Sequence, residues 1–166
     1  MKKVAIDDVD ILTNPMNVHS VRRPVSRALG TEDFAMNYFE LESGESFSGG
    51  LHTHHDQEEV FYVQEGAATF ETLVDDERDS VTVEAGEAIR FAPGEFQQGI
   101  NEEDETAVGF AFGAPGRSHD WDEIESLTFC RKCEEETAHG LDLTDTGGFE
   151  FDCTECGTTF TIERSD

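Results

Sequence analysis

Residues 52–66 contain a run of histidines and carboxylates whose spacing suits metal binding. His52 and His54 are two residues apart, so on a β-strand both imidazoles project from the same face. Glu59 comes directly before an apolar stretch typical of a strand, and its carboxylate could reach back towards the imidazoles. Two imidazoles and one carboxylate form a donor set for a divalent transition metal. Such a cluster can also be merely solvated, but the apolar strand and the glycine that follow argue against that interpretation.

Two neighbouring side chains are alternative ligands. On a regular strand His55 points away from the His52 and His54 pair, so we expect it to contact solvent or to lie behind the ligands. Glu58 would replace Glu59 if the spacing were one residue shorter. The other histidines have no partners at a telling distance in the sequence: His19, His119 and His139.

The run resembles the first motif of the cupin superfamily, which is H-x-H, three or four residues, a glutamate, six residues and a glycine. His52, His54, Glu59 and Gly66 occupy these positions. The spacing to Gly66 favours Glu59 over Glu58 as the family glutamate. The family usually also has a glycine six residues before the first histidine, where this chain has a serine.

The second cupin motif runs from a glycine through P-x-G-x-x-H-x-x-x-N, and residues 86–101 are similar to it. Gly86, Gly94 and Asn101 match, whereas the proline is displaced by one residue. Gln97 stands where the family has its fourth ligand, a histidine. An amide oxygen can bind a metal but is a weaker donor than imidazole, so Gln97 is the weakest ligand of the predicted site.

The resemblance covers about residues 30–112 and implies an all-β fold, a cupin jelly-roll barrel. It implies a divalent metal in the barrel, with Fe²⁺ or Mn²⁺ favoured and Zn²⁺ or Ni²⁺ as rivals. We expect a metal-dependent small-molecule enzyme of dioxygenase type that uses His52, His54 and Glu59. Catalytic residues beyond the metal ligands are unassigned, and turnover itself is an open question. The alternatives are a non-enzymatic sensor or scaffold that binds a small molecule or metal, and a sugar-phosphate isomerase or epimerase.

Four cysteines in the last forty residues form a second candidate metal site. Cys130 and Cys133 form one C-x-x-C pair, Cys153 and Cys156 form another, and nineteen residues separate the pairs. This spacing suits one tetrahedral zinc ion and resembles a rubredoxin-like zinc ribbon. We therefore predict a small β zinc ribbon after the barrel, with a structural role for Zn²⁺. An iron-loaded site and a pair of disulfides are the alternatives.

Turn residues and acidic clusters divide the chain into short apolar runs. The predicted strands are 34–42, 51–54, 59–63, 67–74, 80–83, 88–91, 96–100 and 106–112 in the barrel, and 149–151 and 160–162 in the ribbon. A helical turn or two is predicted within 118–126, and a turn at Asn14–Pro15. The predicted units are an N-terminal arm 1–17, the barrel 18–114, a linker 115–126 and the ribbon 127–166.

The chain has 38 acidic and 11 basic residues, for a formal charge of -27. A surface this acidic stays hydrated in concentrated salt, so we interpret it as a halophilic adaptation. It disfavours nucleic acid as a partner, because the basic cluster is limited to Arg22, Arg23 and Arg27. We interpret these arginines, and Arg90 of the second motif, as surface ion-pair partners. We predict no membrane segment, a cytoplasmic location, a small-molecule ligand and, from the resemblance, a homodimer.

Overall fold

Short runs of apolar residues build thirteen β-strands in the computed structural model, which describes residues 1–12, 14, 16–118 and 121–163. The barrel strands are β1 (Val21–Pro24), β2 (Ala35–Leu41), β3 (His52–His54), β4 (Glu58–Glu65), β5 (Ala67–Val74), β6 (Glu77–Glu84), β7 (Ala88–Phe91), β8 (Gln97–Ile100) and β9 (Ala107–Ala114). The last four strands are β10 (Ile124–Cys130), β11 (Glu135–Leu143), β12 (Phe149–Cys153) and β13 (Thr159–Ile162). Helical structure is limited, within the described ranges, to α1 (Val25–Leu29) and 3₁₀ turns at Ile6–Asp8 and Trp121–Glu123.

The strands form two antiparallel sheets that pack as a jelly-roll-like sandwich, as predicted. One sheet has the order β1-β2-β9-β4-β7, and the other has the order β13-β12-β11-β10-β3-β8-β5-β6. Alternating side chains of each sheet point into the space between them. The metal-ligand candidates therefore face one another across the sandwich, since β3 and β8 belong to one sheet and β4 to the other.

Phenylalanine rings fill the interior beyond the candidate metal ligands. Phe47 packs against Phe39, Phe61 and Phe70, with ring centroids 5.0 to 5.8 Å apart. A Cβ at Gly99 would lie 2.5 Å from the Phe70 ring, so only glycine fits between these aromatics. This packed end holds the barrel rigid beneath the site.

The predicted strands all correspond to observed strands, with end shifts of a few residues. Strand β6 is longer than the predicted strand 80–83. Its side chains are mostly exposed, so apolar and polar residues alternate only weakly along it and the sequence does not indicate where it begins. Helix α1 was missed, since its five residues are too few for a helical period. The predicted turn at Asn14–Pro15 includes Pro15, which lies outside the described residues.

Strand β10 connects the ribbon to the barrel. It pairs with β11 from Glu125 to Cys130 and, on its other edge, with β3, where Ser126 lies opposite His52 and Ile124 opposite His54. The ribbon sheet is therefore a continuation of a barrel sheet, and the predicted linker 115–126 ends inside this strand.

Candidate functional site

Strand β3 presents both predicted histidine ligands to the interior. The imidazole centroids of His52 and His54 are 5.0 Å apart. His52 Nδ1 lies 2.9 Å from the Gly50 carbonyl oxygen, which can only accept a hydrogen bond, so Nδ1 carries the proton. The lone pair of neutral His52 is therefore on Nε2, the nitrogen that faces the site.

Glu59 on β4 and Gln97 on β8 complete the group. Glu59 Oε2 lies 3.5 Å from His54 Nε2 and accepts a 2.6 Å hydrogen bond from Gln97 Nε2. Gln97 Nε2 is also 3.2 Å from His52 Nε2. Register brings these side chains together, because His52 lies directly opposite Gln97 in the β3–β8 pair.

These residues fit a divalent metal. The donor atoms of His52, His54 and Glu59 all lie within 4.8 Å of one another, close to the spacing of about 3–4 Å around a bound ion. Gln97 is buried, and its Oε1 has no hydrogen-bond partner in the described part of the chain. Rotating the amide would exchange Nε2 for Oε1 beside the other donors, so Gln97 is placed to act as a fourth ligand.

Burial controls protonation at the site. Desolvation lowers the pKa of His52, which keeps its imidazole neutral and able to coordinate. Desolvation raises the pKa of Glu59 to about 7, although the hydrogen bond from Gln97 and the charge of Arg22 oppose the shift. Near neutral pH the free site is therefore partly protonated at Glu59, and metal binding would release that proton.

A cavity of about 690 Å³ opens beside these ligands. Among the described residues that line it, the charged side chains are Arg22, Arg27, Arg117 and Glu59. A chain of net charge -27 thus places three of its cations around one cavity. This arrangement favours an anionic ligand.

The interpretation of Arg22 as a surface ion-pair partner is wrong, because the structure places this residue in the cavity. It lines the cavity, and its Nε donates to Asn37 Oδ1 at 3.2 Å. Desolvation lowers its pKa, while the charge of Glu59 raises it. Its strand neighbour Arg23 instead donates hydrogen bonds to the backbone oxygens of Asp7 and Val9. These bonds hold the N-terminal arm against strand β1.

The alternative ligands lie elsewhere. Glu58 accepts a 2.5 Å hydrogen bond from Arg90 on the exposed face, which gives Arg90 its predicted role as an ion-pair partner. His55 Nε2 lies 3.2 Å from Glu125 Oε2, and the His55 side chain is also exposed.

The four cysteines form the second group that could hold a metal. Cys130, Cys133, Cys153 and Cys156 have sulfur atoms within 4.8 Å of one another. The Cys130–Cys156 and Cys133–Cys153 sulfur distances are 3.6 and 3.9 Å, near the edge of about 3.8 Å expected for a tetrahedron of thiolates around zinc. The cysteines are free, which contradicts the disulfide alternative. Hydrogen bonding with Thr158 lowers the pKa of Cys156 to about 6 and so favours its thiolate.

The remaining described histidines belong to neither group, although His139 lies directly opposite Cys153 in the β11–β12 pair. His19 is buried against Phe39, and His139 is buried beside Phe160 in the ribbon. His119 lies outside the described residues. Trp121 packs on Phe149 with ring centroids 5.7 Å apart.

Replacing Gln97 with histidine is expected to tighten metal binding in the barrel by about tenfold or more, because imidazole is the stronger donor. The measurement is a competition titration with a chromogenic chelator. Gln98→His on the same strand is the control and should leave the affinity unchanged. Equal affinities in wild type and Gln97→His would place residue 97 outside the coordination sphere.

Residues 37–112 match a family model described as a cupin domain. The curated proteins contain no match to the chain. Among the described residues, the structure has no helix long and apolar enough to cross a membrane.

Several solved structures share the fold. A sugar phosphate isomerase from a cupin superfamily of Silicibacter pomeroyi matches with a TM-score of 0.57 and 20% identity, over 98% of this chain and 92% of that chain. An uncharacterized conserved protein with a double-stranded β-helix domain from Klebsiella pneumoniae matches with a TM-score of 0.54 and 20% identity, over 70% of this chain and 91% of that chain. Recombinant oxalate oxidase in complex with glycolate matches with a TM-score of 0.56 and 18% identity, over 74% of this chain and 61% of that chain.

Proposed function

We propose that this protein, whose residues 37–112 match a cupin-domain model, is a metal-dependent enzyme of dioxygenase type that acts on a small organic anion. His52, His54 and Glu59 hold the metal, and Gln97 is the fourth contact. Fe²⁺ or Mn²⁺ suits the two-histidine, one-carboxylate donor set. When bound, such an ion supplies a Lewis-acid centre with positions open to substrate and dioxygen.

The observation that carries the proposal is the inward cation beside the ligands. Arg22 is close enough to Glu59 for its charge to lower the pKa of that carboxyl. A carboxylate or phosphate placed between the guanidinium and the metal ligands would gain attraction from both, in a partly desolvated cavity. Asn37 accepts a hydrogen bond from Arg22 Nε and so orients the guanidinium.

The other side chains have supporting roles. The Gly50 carbonyl fixes the His52 tautomer, so that Nε2 stays available to the metal. In the observed amide orientation Gln97 donates a 2.6 Å hydrogen bond to Glu59, and the rotated amide would instead present Oε1 to the metal. Phe61 and Phe47 line the cavity and are themselves buried, so they give it an apolar wall.

A second candidate is a sugar-phosphate isomerase or epimerase. It is favoured by Arg22, which supplies the inward cation that phosphate recognition requires. The fold similarity to a sugar phosphate isomerase also extends over 98% of this chain. Oxygen consumption separates the two candidates, because isomerisation uses none.

Replacing Arg22 with glutamine is expected to weaken the binding of small organic anions by about tenfold to a hundredfold, because a charge-assisted contact is lost. The metal content should not change. The measurement is calorimetric titration of metal-loaded protein with glycolate and with inorganic phosphate, in the concentrated salt that we propose the acidic surface requires.

Arg90→Gln is the matched control, since Arg90 is exposed and paired with Glu58. Oxygen uptake is then followed with a catechol, a diketone, a thiol and a hydroxy acid. Anion binding that is equally strong in wild type and Arg22→Gln would contradict the proposed substrate class. Anion binding without turnover would identify a sensor or scaffold.

A further inference from the structure

The inner face of strand β3 continues across the ribbon. His52 lies opposite Ser126 of β10, and Ser126 lies opposite His139 of β11. His54 lies opposite Ile124. Directly opposed residues in antiparallel strands point to the same side of a sheet. The metal ligands and one face of the ribbon sheet therefore border the same space.

That ribbon face is apolar. We call it the ribbon wall, and it consists of Trp121, Leu141, Phe149, Phe151, Phe160 and Ile162, which all line the cavity. Leu141 lies opposite Phe151, and Phe151 lies opposite Phe160, so these three side chains form a row across β11, β12 and β13.

Part of the ribbon wall is open to a ligand. Phe160 stacks parallel to Phe151 with centroids 4.8 Å apart and is 36% exposed. Leu141 is half-buried. An apolar row that runs along the cavity from buried Phe151 to exposed Phe160 can bury the apolar part of a bound molecule.

The cavity is too large for a small anion alone. Its volume of about 690 Å³ falls in the range of pockets that hold drug-sized ligands. Arg22 and the metal ligands provide one end, and the ribbon wall provides the other. Three strand spacings separate β3 from β12, which corresponds to roughly 14 Å.

We infer that the ribbon wall is part of the binding site and selects an organic anion with an extended apolar arm, bound with its anionic end at Arg22 and the metal ligands. This inference rests on the proposed function for the anionic end. The zinc ribbon then has a role in specificity as well as in stability. Very short acids would bind but would leave the ribbon half of the cavity solvated.

The test uses the full chain loaded with Mn²⁺ and titrated calorimetrically with acetate, phenylacetate, 4-phenylbutyrate and 6-phenylhexanoate. We expect the wild-type affinity to rise along this series by about two- to fourfold per methylene. Phe160→Ala should weaken 6-phenylhexanoate binding by about tenfold and leave acetate binding unchanged. Phe129→Ala is the matched control, because Phe129 is an exposed ribbon phenylalanine outside the cavity.

Leu141→Phe is a second variant that keeps the ribbon apolar while filling the cavity. It should block 6-phenylhexanoate and spare acetate. A flat affinity series in wild type, or equal losses in Phe160→Ala and Phe129→Ala, would overturn the inference. A flat series in which acetate binding still depends on Arg22 would leave the proposed function intact. Equally tight binding of 6-phenylhexan-1-ol and the acid would instead contradict the anionic end while supporting the ribbon wall.

Discussion

His52→Ala is expected to lower the bound metal from two ions per chain to one, because two of the three barrel donors cannot hold an ion at ordinary concentrations. Removing a residue that hydrogen-bonds to a metal ligand already lowers metal affinity by about 10- to 100-fold, so removing a ligand itself should lower it at least as much. The measurement is elemental analysis of protein purified in concentrated salt. The ion that remains should be the ribbon zinc.

His55→Ala is the matched control for this variant. His55 is a neighbouring histidine on the same segment, exposed and paired with Glu125, so its removal should leave two ions per chain. Two ions in His52→Ala would show that the barrel metal is held elsewhere. A single ion in the wild type would leave the dioxygenase proposal without its centre.

Cys153→Ser is expected to lower the melting temperature by about 10 °C or more. Structural zinc binds zinc-finger peptides with about 10–16 kcal/mol that contributes to their folding, and the ribbon sheet of this chain continues into the barrel. Cys153 is buried in the sulfur cluster, and Thr137 Oγ1 lies 3.2 Å from its sulfur. Differential scanning calorimetry measures the effect, and hydrogen exchange locates it.

The exchange pattern distinguishes the ribbon from the rest of the chain. Amides of β11, β12 and β13 should exchange fastest in Cys153→Ser, with β10 intermediate, since β3 still pairs with it. Glu155→Gln, an exposed position in the same cysteine pair, should behave as wild type. An unchanged melting temperature in Cys153→Ser would show that the cysteines do not support the fold.

The fold was largely predictable from the sequence because its signals are local. Alternating apolar residues and turn residues locate the barrel strands, and the C-x-x-C pairs locate the ribbon. The connection between these parts was not predictable. Strand β10 begins inside the predicted linker, and its pairing with β3 depends on contacts between residues far apart in sequence.

The part of the candidate site that could be predicted is the part fixed by the spacing of residues along strands. His52, His54 and Glu59 follow from strand periodicity, and the structure brings them together. Arg22 could not be assigned, because an arginine on an edge strand can face either solvent or the interior. Its direction follows from register: Arg22 lies opposite Phe39, which is buried between the sheets.

The pairing of β3 with β10 also sets an order of assembly during synthesis. Ile124 emerges about 70 residues after His54, its partner, and such long-range pairings form late. Until that segment has left the ribosome, the strand with both histidine ligands has an unpaired edge. We therefore expect the nascent barrel to complete its candidate metal site only after the chain has begun the segment that contains the four cysteines.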